Sequence, residues 1–402
     1  MTGSTPAPPN GTVDLGYDAV LLAGFGGPES ADEVMPFLRT VTRGRGIPEE
    51  RLVEVSHHYQ ALGGASPINA QNRALRAALE EELASRGLPL PVLWGNRNSP
   101  PWLTDVVGAA QADGRIRLLG LATSAYSSYS SCRQYREDFG ASLTGSGLVG
   151  RVRIDKVRPY FDQPGFLDPF VDGATRAVEA ALHGGLAADE LELLFTTHSI
   201  PSAMADSSGS ATTGDDRPGG AYVAQHLAVA GHVAAQVAER TSAVVDWRLV
   251  YQSRSGPPQI PWLEPDICDV IDDLPAERRG VVVVPIGFVS DHVEVIWDLD
   301  HEAAGSAGDR GLLFWRVPTP GTDPRFVASL ADLVAERVGR GLPREPVLDL
   351  ARRPDVCPPG CCVNLRATKP TTAGQDSAED WAGTGISQAD LTASGIRQAS
   401  LA

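Results

Sequence analysis

Two stretches of this chain close an apolar run with residues able to handle protons and metal ions. The run from Val281 reads V-V-V-V-P-I-G-F-V-S-D-H-V-E-V-I-W-D-L-D-H-E. Glu294, Asp298 and Glu302 recur every four residues, so on a helix they form one line of carboxylates. Like charges at that spacing repel. Two readings stand: a solvated helix face, or a path for a divalent cation, since carboxylates suit such ions. The second stretch is L-E-L-L-F-T-T-H-S-I-P, residues 191–201, with His198 just past the apolar run. A histidine there either satisfies a backbone carbonyl or offers a ring nitrogen to a proton or a metal. If both runs are strands of an open α/β sheet, both sets lie where such sheets bind ligands, beyond the carboxyl ends.

A third stretch, L-L-A-G-F-G-G-P at 21–28, is a glycine-rich turn. Its spacing fits neither the dinucleotide fingerprint nor the phosphate-binding P-loop, and no Lys-Ser/Thr pair follows. Glycines there would let a flat ligand approach the backbone. Five cysteines in 402 residues do not make a disulfide scaffold. Three of them, Cys357, Cys361 and Cys362, crowd into six residues, C-P-P-G-C-C, which matches no ferredoxin spacing. Zinc ligands and idle thiols both remain open.

These groups need a scaffold. Short apolar runs at 18–23, 116–122, 192–197 and 280–286 read as buried parallel strands, with further strands at 92–94, 152–157, 246–251 and 312–316. Between them, 69–85, 169–182, 219–240 and 323–339 carry helical periodicity. Such alternation indicates an α/β doubly wound fold. Eight strands divide into two four-stranded halves, 17–162 and 163–322. Residues 1–16 read as a disordered lead-in without the features of a signal peptide. Residues 206–219 read as a surface loop, 341–367 as a cysteine-bearing extension, and 368–402 as a disordered tail.

At 42% hydrophobic and 21% charged residues, the composition is that of a soluble globular protein. The formal charge of −16 argues against nonspecific nucleic-acid binding. No apolar run reaches the ~18 residues of a membrane span, and a cytoplasmic protein is expected.

The chain resembles the ferrochelatase family along most of residues 17–340. The resemblance is carried by L-L-A-G-F-G-G-P-E-S, Y-Q-A-L-G-G-A-S-P at 59–67, F-T-T-H-S-I-P, Y-Q-S-R-S-G-P-P-Q-I-P-W-L-E-P-D at 251–266, and V-P-I-G-F-V-S-D-H-V-E. It implies the chelatase fold, two similar Rossmann-like domains around a porphyrin cleft, with the last helix, about 323–340, returning to the first domain. It implies insertion of Fe²⁺ into a porphyrin. His198 matches the family residue that binds incoming iron or takes pyrrole protons, and Glu294 its carboxylate partner. Asp298 and Glu302 match the acidic line that leads metal inward, while Asp291 and His292 fill neighbouring motif positions. Ser66 and Tyr135 fall where relatives contact the porphyrin. Phe25 replaces a tyrosine that in some relatives ligates the product's iron, which a phenyl ring cannot do.

Protoporphyrin-using relatives carry a hydrophobic lip where this chain has T-R-G-R-G-I-P-E-E-R-L-V-E-V-S-H-H-Y, shorter and polar. Coproporphyrin III has four propionates where protoporphyrin IX has two, and Arg43, Arg45 and Arg97 are candidate partners for them unless they are ordinary surface residues. Coproporphyrin III is therefore the expected substrate, as in actinobacterial-type members with a [2Fe–2S] cluster. By the same resemblance Cys132, in S-S-C-R-Q-Y-R, joins Cys357, Cys361 and Cys362 as cluster ligands. Cys268 is left over and packs as a small apolar residue. A monomer making transient contact with the next heme-pathway enzyme is expected. The competing readings are a protoporphyrin IX ferrochelatase, a chelatase placing another divalent metal in another tetrapyrrole, and a non-catalytic porphyrin or heme carrier with an iron–sulfur sensing module. A carrier would have no use for the carboxylate line.

Overall fold

A computed structural model describes residues 15–44, 46–209, 218–256, 259–341, 347–350 and 353–374. The first sheet is built in the order β1 (Ala19–Gly24), α1 (Ala31–Val41), α2 (Glu49–Ala61), α3 (Ile68–Ser85), β2 (Val92–Asn96), α4 (Leu103–Ala112), β3 (Arg117–Ala122), a π-helix at Tyr129–Arg133, α5 (Gln134–Gly145) and β4 (Arg153–Lys156). The second follows as α6 (Pro164–His183), β5 (Leu191–His198), α7 (Ser202–Asp206), α8 (Gly220–Thr241), β6 (Asp246–Gln252), α9 (Ile267–Asp272), β7 (Gly280–Val284), α10 (Val293–Ile296), a second π-helix at Trp297–Ala303, α11 (Ala304–Asp309) and β8 (Leu313–Arg316). Helix α12 (Pro324–Arg337) closes the order.

Both sheets are parallel and four-stranded, ordered β2-β1-β3-β4 and β6-β5-β7-β8. The orders are the same once β1 is equated with β5. Each reverses direction beside its first strand, so the crevices suited to a ligand open at the carboxyl ends of β1 and β3, and of β5 and β7. The strands are legible as apolar runs because helices cover both faces: every residue of β1 and β7 is buried.

One core runs through both halves, joining Leu119 and Leu121 of β3 to Val282 and Val284 of β7 through α3, α6, α8 and α12. Helix α12 lies across α3: Arg86 pairs with Asp332 at 2.7 Å and bonds the Ala328 carbonyl. Separate clusters lie under α4–α5 and under α9–α11. The α1–α2 hairpin seats Phe37, Leu52 and Tyr59 against Val293, across from the second sheet.

The order of the chain continues past the expected boundary at 367. Residues 368–374 lie along α5, where Arg136 Nε donates to the Thr372 carbonyl at 2.7 Å and Thr371 and Thr372 are buried. The Thr372 carbonyl and the Thr371 hydroxyl accept from an otherwise costly buried guanidinium, and Gly374 leaves room for it. The expected loop at 206–219 resolves into a turn, 206–209, that continues from α7 toward α8; 210–217, the lead-in 1–14 and the tail from 375 lie outside the described residues. Among the described residues no helix is long and apolar enough to cross a membrane.

Candidate active site and thiol cluster

His198 is the last residue of β5, its side chain one-third exposed. Its Nδ1 meets the Ser199 carbonyl at 2.5 Å. A carbonyl only accepts, so Nδ1 carries a hydrogen and Nε2 faces outward. Glu294 lies in that direction, with Oε2 3.9 Å from Nε2. It sits in the first turn of α10, half exposed. The loop after β7 reaches β5 closely, with Gly287 N donating to the Thr196 carbonyl at 3.1 Å. A Cβ at Gly287 would strike Thr197, so glycine is required for the two strand ends to meet.

Helix α10 passes directly into the second π-helix. The wider i→i+5 turn keeps Glu294, Asp298 and Glu302 near one another without an ordinary helical line. Asp298 is the most enclosed of the three. Its carboxyl is pushed up to about 7, first by loss of water and then by the charges of Glu294 and Glu302, against hydrogen bonds from Ser253 and Gln252. Glu302 accepts a hydrogen bond from Trp297 Nε1 at 2.8 Å. The Trp297 indole stacks on His58 of α2, with centroids 4.2 Å apart and planes 7° from parallel. Burial holds the His58 pKa down, and burial also raises the Tyr59 hydroxyl beside Glu294. These partners, with Gln252 and Ser253, were not singled out from spacing. Their signal lay in the H-H-Y and Y-Q-S-R-S runs.

The neighbouring motif residues divide. His292 caps α10 close to both His198 and Glu294, and burial lowers its pKa. Asp291 turns away to Arg316 at 2.9 Å, an arginine also bound to Asp300, so it braces the loop.

On the opposite wall, the turn after β1 is held by a buried amide set. Asn69 donates to the Gly27 carbonyl at 3.0 Å, and Asn96 donates to Asn69 at 3.1 Å. Gly26 has a φ of +88°, and a Cβ on Gly27 would meet Ser66 at 2.8 Å, so this wall is flat backbone. Ser66 is buried against it. Phe25 projects, 37% exposed, edge-on to Phe37 at 6.3 Å.

Two candidate porphyrin contacts near this wall have partners within the protein. Tyr135 is buried in the α4–α5 core with Arg97 4.4 Å over its ring, so Arg97 and not Tyr135 faces Phe25. Arg97 Nε pairs with Asp138 at 2.5 Å, while its Nη2 is buried without a hydrogen-bond partner among the described residues. Arg43 is exposed after α1 and makes no ion pair with a described residue; Arg45 lies outside the described residues.

The thiols lie away from this cleft. Cys132, on the first π-helix, bonds Cys357; Cys357 bonds Cys361; and Cys361 meets Cys362 with sulfurs 3.8 Å apart. Hydrogen bonding within the set and burial raise the Cys132 thiol, while Lys156 and Arg136 oppose the rise. Cys268 is separate, packed beside the α9–α11 core, with burial and Asp266 pushing its thiol up to about 12. Among the described residues no group of three or more His, Cys, Asp or Glu is arranged to hold a metal ion. The four thiols form a chain of neighbours, not a cage about one point.

A pair of four-stranded parallel sheets with a histidine and carboxylates at neighbouring strand ends defines a two-halved α/β protein with a candidate site beside a flat backbone wall. Residues 17–338 match the ferrochelatase family model, and the chain belongs to the ferrochelatase family. Similar proteins include a coproporphyrin III ferrochelatase of Leifsonia xyli subsp. xyli, 55% identical over 93% of this chain and 99% of the relative. One of Streptomyces griseus subsp. griseus is 53% identical over 90% of this chain and 97% of the relative. A ferrochelatase of Rhodopirellula baltica is 42% identical over 89% of this chain and 97% of the relative.

Proposed function

We propose that this protein inserts Fe²⁺ into coproporphyrin III to form coproheme, with His198 and Glu294 at the reacting centre. The observation that carries the reading is the outward Nε2 of His198 beside the Glu294 carboxylate. Relatives 53–55% identical over nine-tenths of the chain are coproporphyrin III ferrochelatases.

Metallation removes two pyrrole protons and strips water from the ion. The Nε2 lone pair of His198 accepts a pyrrole proton or ligates iron, and Glu294 stabilises the imidazolium or receives the proton. Asp298, with a carboxyl near 7, holds or releases a proton at neutral pH and passes it toward Glu302 and solvent. Iron moves the opposite way along the same oxygens, which bind divalent ions without the permanence of thiolate. The flat Gly26–Gly27 wall, backed by Ser66 and Asn69, receives one porphyrin face, and Phe25 touches it without ligating iron. Arg43 and Arg45 serve the propionates.

Cys132, Cys357, Cys361 and Cys362 hold a [2Fe–2S] cluster. What supports the reading is the donor type: four neighbouring thiols could supply two thiolates to each of two irons, and Lys156 and Arg136 oppose the rise that hydrogen bonding and burial impose on Cys132. Such a cluster supplies one-electron redox chemistry, which metal insertion does not require.

The test is anaerobic turnover with Fe²⁺ on coproporphyrin III and protoporphyrin IX in parallel. A kcat/KM at least tenfold higher on coproporphyrin III is expected. Preference for protoporphyrin IX would overturn the substrate assignment, and no metallation of either would overturn the activity.

A further inference from the structure

Among the described residues, the cysteine extension meets the turn after α7 at Cys362. Cys362 N donates to the Gly209 carbonyl at 2.8 Å, and Gly209 N donates back to the Cys362 sulfur at 3.2 Å. Gly209 ends the turn that fastens the start of α8. In that turn Ser208 Oγ accepts from Tyr222 N at 2.8 Å, the Ser208 carbonyl accepts from Ala221 N at 3.2 Å, and Asp206 accepts from Gly219 N at 2.7 Å. Tyr222 is buried, and its hydroxyl reaches the His198 carbonyl at 2.8 Å. Three residues therefore separate a thiol from the backbone of the reacting histidine.

We infer that Tyr222 is a positioning residue that couples the cysteine extension to His198 through Ser208 and Gly209. A count of protons explains why this hydroxyl is sensitive. His226 Nδ1 lies 2.7 Å from the Tyr222 carbonyl and must donate to it, so His226 Nε2 accepts from Thr197 Oγ1 at 2.9 Å. The Thr197 hydrogen is then committed. Tyr222 has one hydrogen for two acceptors at 2.8 Å, the Thr197 oxygen and the His198 carbonyl. Such a divided bond shifts with small movements of α8, whose first turn is held by Ser208 and, through Gly209, by Cys362. With Cys362 loosened, the turn relaxes, the Tyr222 hydrogen settles on Thr197, and His198 loses the restraint on its carbonyl. Coupling between distant groups commonly alters an affinity about five- to 150-fold, and the low end is expected for one hydrogen bond.

The role of the extension as a cluster carrier rests on the function proposed above; the coupling through Gly209 does not. The test uses full-length protein labelled with ¹³C-histidine, purified anaerobically with no substrate iron or porphyrin added, with the His198 signal assigned by its loss in His198→Asn. Cys362→Ser and Ser208→Ala should each move that signal, and neither should move it further in a Tyr222→Phe background. Both variants should raise the KM for Fe²⁺ about fivefold with the porphyrin KM unchanged. Ser208→Ala keeps all four thiols, so it serves even if Cys362→Ser fails to fold. An unmoved His198 signal in Ser208→Ala, or additive shifts with Tyr222→Phe, overturns the coupling. Sulfide assayed on the same wild-type sample separates the two ideas: signals that move in protein without sulfide sustain the coupling and sink the cluster.

Discussion

The molecule keeps two sets of metal-capable side chains under opposite conditions. His198 ends β5, Glu294 lies in α10 and Glu302 on the second π-helix, all partly or well exposed, with hard oxygen and imidazole donors. Cys132, Cys357 and Cys362 are buried under an extension that is itself pinned by Arg136 and Gly209. Openness and hard donors suit an ion that must arrive and leave; burial and thiolates suit one that stays. Each set draws on a π-helix, Asp298 and Glu302 on the second and Cys132 on the first, but the thiols also depend on a late segment folding back.

The largest effect should come from removing the centre of the open set. His198→Ala is expected to lower kcat by about 10²–10⁴-fold, the scale of a lost proton-transfer group, with porphyrin affinity measured by fluorescence quenching unchanged. Porphyrin affinity falling in step with kcat would mean that His198 builds the cleft and does not act in it.

The closed set should respond in stability more than in rate. Cys357→Ser leaves a buried hydroxyl and removes a ligand of the proposed cluster. Sulfide content should fall to background and Tm by about 2–6 °C. Hydrogen exchange should rise across 353–374. Retained sulfide would break the contrast, because the cluster would then lie elsewhere.

How far this contrast was legible in the residues follows from what each set depends on. The central strands were readable because parallel strands buried on both faces must be apolar throughout, as in Val281 to Val284, while the edge strands β4, β6 and β8 mix charged and partly exposed residues. His198 and Glu294 were readable because each follows such a run. The π-helix was not, since spacing by four looks the same whatever the helix. Nor was the enclosure of Asp298, which depends on Gln252 and Ser253 from another strand end. The burial of Tyr135 under Arg97, which follows β2, was equally invisible in the spacing. The ordered threonines at 371–372 belong to a polar segment that composition assigns to a tail, and only a buried arginine explains their place.

A smaller effect concerns protons. The folded-state carboxyl of Asp298 is raised to about 7 above its ordinary value. The folded protein therefore keeps a proton that the unfolded chain releases, and this contribution to stability is full at low pH and lost as pH rises through about 7. Asp298→Asn should lose less Tm than wild type between pH 5 and 8, and its rate profile should lack an inflection near 7. An unchanged inflection would assign that proton to another group.

The smallest effect should appear at the rim of the open set, at Trp297. Trp297→Phe keeps a ring over His58 but deletes the Nε1–H that holds Glu302. Glu302 is exposed, so water replaces most of that bond, and a loss of about 0.5–1 kcal/mol is the upper range for a neutral donor. The KM for Fe²⁺ should rise about two- to fivefold, with kcat at saturating iron and the porphyrin KM both unchanged. A carboxylate that only receives the ion can be slack at little cost, whereas a ligand in a closed thiol set cannot. If Trp297→Phe instead lowers kcat as much as Asp298→Asn does, Glu302 acts during metallation itself, and the open set extends one turn further along the π-helix than its geometry at His198 implies.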